Sequence, residues 1–158
     1  MKAGVGKSEI VLAEEYLEIE DFAVIHRTLN ARAVVIESGQ TVVLLSLEVT
    51  SLPDEETLAI RQKIAEKYPV KESNIWVCVT HTFSAPHLLP DFVLKEKEKI
   101  AQKAKYREAL TDAALEAVGK GFADLQDVSI GFGDGYSMVN CSRAVELADG
   151  WWVGTEGP

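Results

Sequence analysis

The residues of this 158-residue chain best suited to chemistry lie in one short run, Thr80-His81-Thr82-Phe83-Ser84-Ala85-Pro86-His87. The run follows Ile75-Trp76-Val77-Cys78-Val79, an apolar stretch that reads as a buried strand. In open α/β sheets, ligands collect beyond the carboxyl ends of the strands. A histidine at such a point serves as a metal ligand, as an acid or base, or as a hydrogen-bonding structural residue. His81 and His87 are separated by a proline loop, at a spacing that standard zinc sites do not use. Glu48 closes an earlier apolar run, and His26 stands close enough to a strand start to face the same pocket or to bond backbone at its edge. Arg143 suits a substrate carbonyl or carboxylate, or a surface ion pair. Asn140 suits loop capping. Cys141 has neither a paired base nor a following helix N-terminus, so it is not expected to act as a nucleophile.

These residues need a scaffold, and the pattern around them supplies one. Residues 31–37 and 41–47 are two β-rich runs about the turn signal Ser38-Gly39-Gln40, which predicts a hairpin. The second run is almost continuously apolar, so both of its faces are expected to be covered. Asp54-Glu55-Glu56 places acids where a helix start favours them, and Tyr68-Pro69 stops that helix. Strand, helix and strand over 41–80 form a βαβ unit with a parallel crossover. Residues 92–119 carry the longest helical stripe, Ile100, Ala104, Leu110, Ala114, Ala117 and Val118, with Lys95 to Lys103 as a solvated face and Gly119 and Gly121 flanking the stop. Residues 127–133 read as one more strand. The expected fold is a single α/β domain over 1–158, with a mixed, largely parallel sheet and flanking helices.

Composition narrows the function. A hydrophobic fraction of 47% and a charged fraction of 26% are ordinary for a folded domain. A formal charge of −9 argues against nucleic acid and against anionic membrane surfaces. No run approaches the length of a membrane span, and the N-terminus lacks a secretory apolar core, so a cytoplasmic protein is expected. Cys78 and Cys141 do not make a disulfide framework, and Cys78, inside its apolar run, is expected to be buried and reduced. The tail Trp151-Trp152 is costly to leave in water, which points to packing on the domain, on a partner or on a second copy.

In order along the chain, Ile25-His26, Ala31-Arg32-Ala33, Ser46-Leu47-Glu48, Asn74-Ile75-Trp76-Val77, Thr80-His81-Thr82 with Ser84-Ala85-Pro86, Gly131-Phe132-Gly133-Asp134-Gly135, Asn140 with Arg143, and Gly150-Trp151-Trp152-Val153-Gly154 resemble the N-terminal part of neutral/alkaline ceramidase-like zinc amidohydrolases. The resemblance implies hydrolysis of an amide, with zinc polarising the carbonyl and activating water. It makes His81 the first zinc ligand, Arg143 and Glu48 the catalytic candidates, and Asn140 and His26 the substrate-binding candidates. Two departures bear on activity. Glu48 stands where the family has an aspartate, and Phe83 stands where it has a second loop histidine. The family's other ligands come from later chain.

Three readings follow from the sequence: a piece or divergent member of that hydrolase family, weak or inactive in isolation and acting on a small-molecule amide; a small-molecule binding domain that kept the fold and lost the zinc chemistry; or an interaction module whose tryptophan tail docks a partner or a second copy.

Overall fold

The computed structural model describes residues 1–12, 22, 24–88, 97–139, 144–148 and 150–153. Strands β1 (Lys2–Ile10), β2 (Leu29–Ser38) and β3 (Gln40–Leu47) are followed by helix α1 (Asp54–Lys67), strand β4 (Ile75–Val79), helix α2 (Lys97–Ala123) and a short strand β5 (Gln126–Asp127). A separate hairpin, β6 (Ala144–Leu147) with β7 (Gly150–Val153), completes the order.

The main sheet runs β4-β3-β2-β1-β5. β3 and β4 are parallel and joined through α1, so the βαβ unit stands as expected. The sheet is α/β and mixed, but mostly antiparallel rather than largely parallel: β1–β2, β2–β3 and β1–β5 all pair antiparallel. Two features cause this. Gly39, in the left-handed region at φ 72°, turns β2 straight back into β3. The N-terminal nine residues form a strand that the sequence did not advertise, since Gly4 and Gly6 depress strand propensity.

Both glycines have a packing reason. A Cβ on Gly4 would lie 2.1 Å from the Gly121 carbonyl oxygen, and one on Gly6 would lie 1.9 Å from that of Ala117. The small residues of β1 thus let α2 approach backbone to backbone. Gly119 and Gly121 do not cap α2, which runs on to Ala123; Gly119 instead accommodates Tyr68, whose hydroxyl donates to the Leu115 carbonyl at 2.9 Å.

One face of the sheet is the core. Ala31, Ala33 and Val35 of β2 lie opposite Leu47, Leu45 and Val43 of β3, all buried beneath both helices. Ile60 and Ile64 of α1, with Tyr106, Leu110, Ala114, Ala117 and Val118 of α2, close that core. Glu56 and Arg107 pair at 2.8 Å between the helices. α1 begins and ends where the acids and Tyr68-Pro69 predict.

The opposite face differs from expectation. Register puts Val5, Val34, Leu44 and Trp76 in one cross-strand row, and Leu44 and Trp76 are exposed. Cys78 is exposed too, not buried, because β4 is an edge strand and Cys78 points away from the helices. The continuous apolar run of β3 therefore has one covered face and one open one. The expected strand over 127–133 also fails: β5 stops at Asp127, and residues 128–133 have no regular structure. Lys103, expected on a solvated face, is buried and donates to the His87 carbonyl. The expected helical residues 92–96 lie outside the described residues. No helix among the described residues is long and apolar enough to cross a membrane.

Candidate functional site

The carboxyl ends of β1, β3 and β4 and the amino end of β2 meet at one end of the sheet. Glu48 directly follows β3, His81 stands two residues beyond β4, and His26 precedes β2. A cavity of about 850 Å³ opens there. Glu48 and His26 line it together with Asn30, Arg32, the apolar Val24 and Ile25, and Thr80 and Thr82, while His81 itself is not among the lining residues. Its size and mixed lining suit a small-molecule ligand.

Both carboxylate oxygens of Glu48 are engaged. One carboxylate oxygen, Oε2, accepts from the Asn30 backbone N–H at 2.8 Å and from Asn30 Nδ2 at 2.9 Å. The other, Oε1, pairs with the Arg32 guanidinium. The backbone repeats the tie, with Glu48 N–H donating to the Asn30 carbonyl at 3.0 Å. Burial works to raise the Glu48 carboxyl, but the hydrogen bonds from Arg32 and Asn30 and the Arg32 charge outweigh it, so the group titrates below its ordinary value. Asn30 is buried, and its Nδ2 also reaches the Thr28 carbonyl at 3.0 Å. Sequence reasoning did not single out Asn30 or Arg32; the signal was the hairpin register, which sets both beside the end of β3.

His81 is held differently. Its backbone lies in the left-handed region at φ 58°, the one non-glycine residue with positive φ among those described. That conformation is uncommon for a residue with a Cβ, and histidine is among the side chains enriched in it. It clusters where surrounding structure over-determines the backbone. Here Thr50 supplies the constraint. Its carbonyl receives His81 Nδ1 at 2.7 Å, and its hydroxyl donates to the Thr82 carbonyl at 2.6 Å. Because a carbonyl only accepts, Nδ1 is the donating nitrogen, and in the neutral ring Nε2 is then the one with a lone pair. Phe83 meets the His81 ring edge-on at 5.2 Å, and the His87 ring at 6.1 Å. The His81 ring is thus turned to Thr50 and Phe83.

The donor set can be tested against a metal. Among the described residues, no three histidine, cysteine, aspartate or glutamate side chains gather in a metal-holding group. The described residues therefore offer His81 Nε2 as a ligand but not the three protein ligands a catalytic zinc needs. Asn140, Cys141 and Arg143 lie outside the described residues, so the geometry assigns them no place.

A mixed α/β sheet with a cavity beyond the carboxyl ends of its strands is the architecture of a ligand-binding or catalytic domain. The comparisons with known proteins make this more specific. No protein-family model and no curated protein matches the sequence. Solved structures do: a ceramidase complexed with C2, at 25% identity and a TM-score of 0.64, and the neutral ceramidase from Pseudomonas aeruginosa, at 26% identity and the same TM-score. Each match covers 79% of this chain, but only 21% and 22% of the respective ceramidase chains. The chain is ceramidase-like in fold and spans about a fifth of the length of those ceramidases.

Proposed function

We propose that this chain contributes the His81 and Glu48 end of a ceramidase-like amide-hydrolase site, and that on its own it has weak or no turnover. The observation that carries the reading is the likeness of 79% of the chain to neutral ceramidases, together with a cavity at the strand ends lined by His26 and Glu48. The substrate class under this reading is an N-acylated amide whose apolar part meets Val24 and Ile25 while its polar head meets Asn30 and Arg32. Arg143 and Asn140 are the further residues proposed to contact substrate. Zinc belongs to the proposed parent site rather than to the described residues, so no catalytic step is drawn through it. His81 is the residue proposed to face it.

A second reading has its own support. Both oxygens of Glu48 are engaged by Asn30 and Arg32, and Phe83 contributes no donor atom beside His81. Both suit a binding domain that kept the cavity and lost the chemistry.

Elemental analysis of untagged protein, followed by a fluorogenic N-acyl-amide assay with added zinc, separates the two. The expected result is sub-stoichiometric zinc and turnover near background. Stoichiometric zinc that is lost in His81→Ala, together with turnover, would overturn the weak-activity proposal and establish a complete enzyme. No turnover with retained binding of an N-acyl amide in the cavity favours the binding domain.

A further inference from the structure

Three features of the chain remain unsatisfied in the same region. The first is the helix-free face of the main sheet. Val5, Leu44 and Trp76 stand exposed across one row, with Val34 half-buried between them and Ile36 and Val42 beside it, half-buried too. Trp76 is 66% exposed. A contiguous apolar surface of this kind marks an interaction site.

The second is the segment that follows β5. Val128, Ile130 and Phe132, and after the turn signal Asp134-Gly135 also Tyr136 and Met138, alternate with serine and glycine, which is the period-2 pattern of two short strands with one apolar face each. Yet Ile130, Phe132, Tyr136 and Met138 are all exposed, Phe132 to 93%. The third is the β6–β7 hairpin, which pairs only with itself among the described strands and sets Val145 opposite Trp152 in register. A two-stranded hairpin alone is marginal in water and gains stability from a third strand or from packing on another layer.

We propose that residues 128–139 of this same chain join the β6–β7 hairpin as a second small sheet that packs on the open face of the first. The connection favours this occupant. Val128 N–H donates to the Met1 carbonyl at 3.2 Å, so the segment leaves the β1 edge at the end of the sheet that carries Ile36, Val42 and Trp76. Crossing from β1 to β4 takes three strand spacings, roughly 14 Å, and eleven extended residues reach roughly 36 Å. Tethering sets the effective concentration of the segment in the millimolar range. A second copy must work against the charge of −9 on each chain. Aligned sheets pack about 10 Å apart through interdigitated apolar side chains, which these two alternating surfaces supply.

Cys78, two residues beyond Trp76 on that face, reports on closure. In a Cys141→Ser background, the rate at which a water-soluble aromatic disulfide labels Cys78 is compared with that in Ile130→Ser/Phe132→Ser/Tyr136→Ser. Circular dichroism and urea unfolding establish that the triple variant keeps the β1–α2 core. Hydrogen exchange is followed at the amides of 128–138 in the parent. The expected result is at least tenfold slower labelling in the parent, independent of protein concentration, with exchange in 128–138 slowed at least tenfold relative to a random coil. Equal labelling rates, or coil-like exchange across 128–138, overturn the proposal. Protection that grows with protein concentration overturns it as well, because the occupant is then a second copy.

Discussion

Replacing Gly6 with alanine probes the contact on which the fold turns. A Cβ at Gly6 sits 1.9 Å from the Ala117 carbonyl oxygen, 2.7 Å from the Gly121 nitrogen and 2.9 Å from the Lys120 Cβ, against 3.4 Å for ordinary contact. Two of these neighbours are helix backbone, so no rotamer change relieves the overlap. α2 must lift from β1, and the buried Ala113, Ala114 and Ala117 lift with it. Overpacking a core costs about 1–3 kcal/mol when side chains can adjust, and the rigid backbone puts this case at the upper end. Lower entropy of the unfolded alanine chain returns about 0.4–1 kcal/mol. The expected net loss is about 2 kcal/mol, which for a chain of this size lowers Tm by roughly 4–8 °C. Gly39→Ala is the control. Gly39 has no atom within 4 Å of its Cβ position but a φ of 72°, so it carries only the left-handed penalty of about 1 kcal/mol. Urea unfolding of both variants tests the reasoning. A Gly6→Ala loss smaller than that of Gly39→Ala would refute the close approach of α2 to β1.

Two further outcomes follow from the site. The Glu48 carboxyl titrates lower in the folded chain than its ordinary value of 4.5, so its stabilisation is fully present above that value and is lost as pH falls through the depressed one. The urea midpoint of the parent should therefore fall more steeply below pH 4.5 than that of Glu48→Gln, and parallel curves would contradict the assignment. Thr50→Val removes the hydroxyl that donates to the Thr82 carbonyl and should cost about 1–2 kcal/mol in urea unfolding, with faster proteolysis in the 81–85 loop; a loss below about 0.5 kcal/mol would show that the loop does not depend on this tie.

The parts of the fold legible in the sequence are those specified locally. The acids at 54–56 and the Tyr68-Pro69 stop bound α1, and Gly39 between two β-rich runs gives the hairpin. The parts that were not legible depend on partners far away in sequence. Gly4 and Gly6 weaken β1 as a strand until Ala117 and Gly121, more than a hundred residues later, explain them. Gly119 and Gly121 look like helix stops for the same reason. A continuous apolar run such as Thr41 to Leu47 carries no period that says which face will be open, so the exposure of Leu44 and Cys78 is decided by where the helices lie. At the site, the strand ends placed Glu48 and His81 at one end of the sheet, but the clasp of Asn30 and Arg32 on Glu48 arises from the β2–β3 register, and the left-handed backbone of His81 has no signature in residue type.

Those two restraints divide the chemistry at this end of the sheet. A general base needs an available lone pair and a pKa near the working pH. Glu48 fails the second condition, since the hydrogen bonds and the Arg32 charge hold its carboxyl below its ordinary range. Its effect is to tie the start of β2 to the end of β3 and to hold the Arg32 guanidinium among the residues that line the cavity. His81 is arranged in the opposite sense. The Thr50 carbonyl accepts a hydrogen bond from Nδ1 and steadies an uncommon backbone conformation, which sets the ring's orientation and makes Nε2 the acceptor nitrogen of the neutral ring. His81 is thus held by Thr50, and Glu48 with Asn30 and Arg32 ties β2 to β3 beside the cavity.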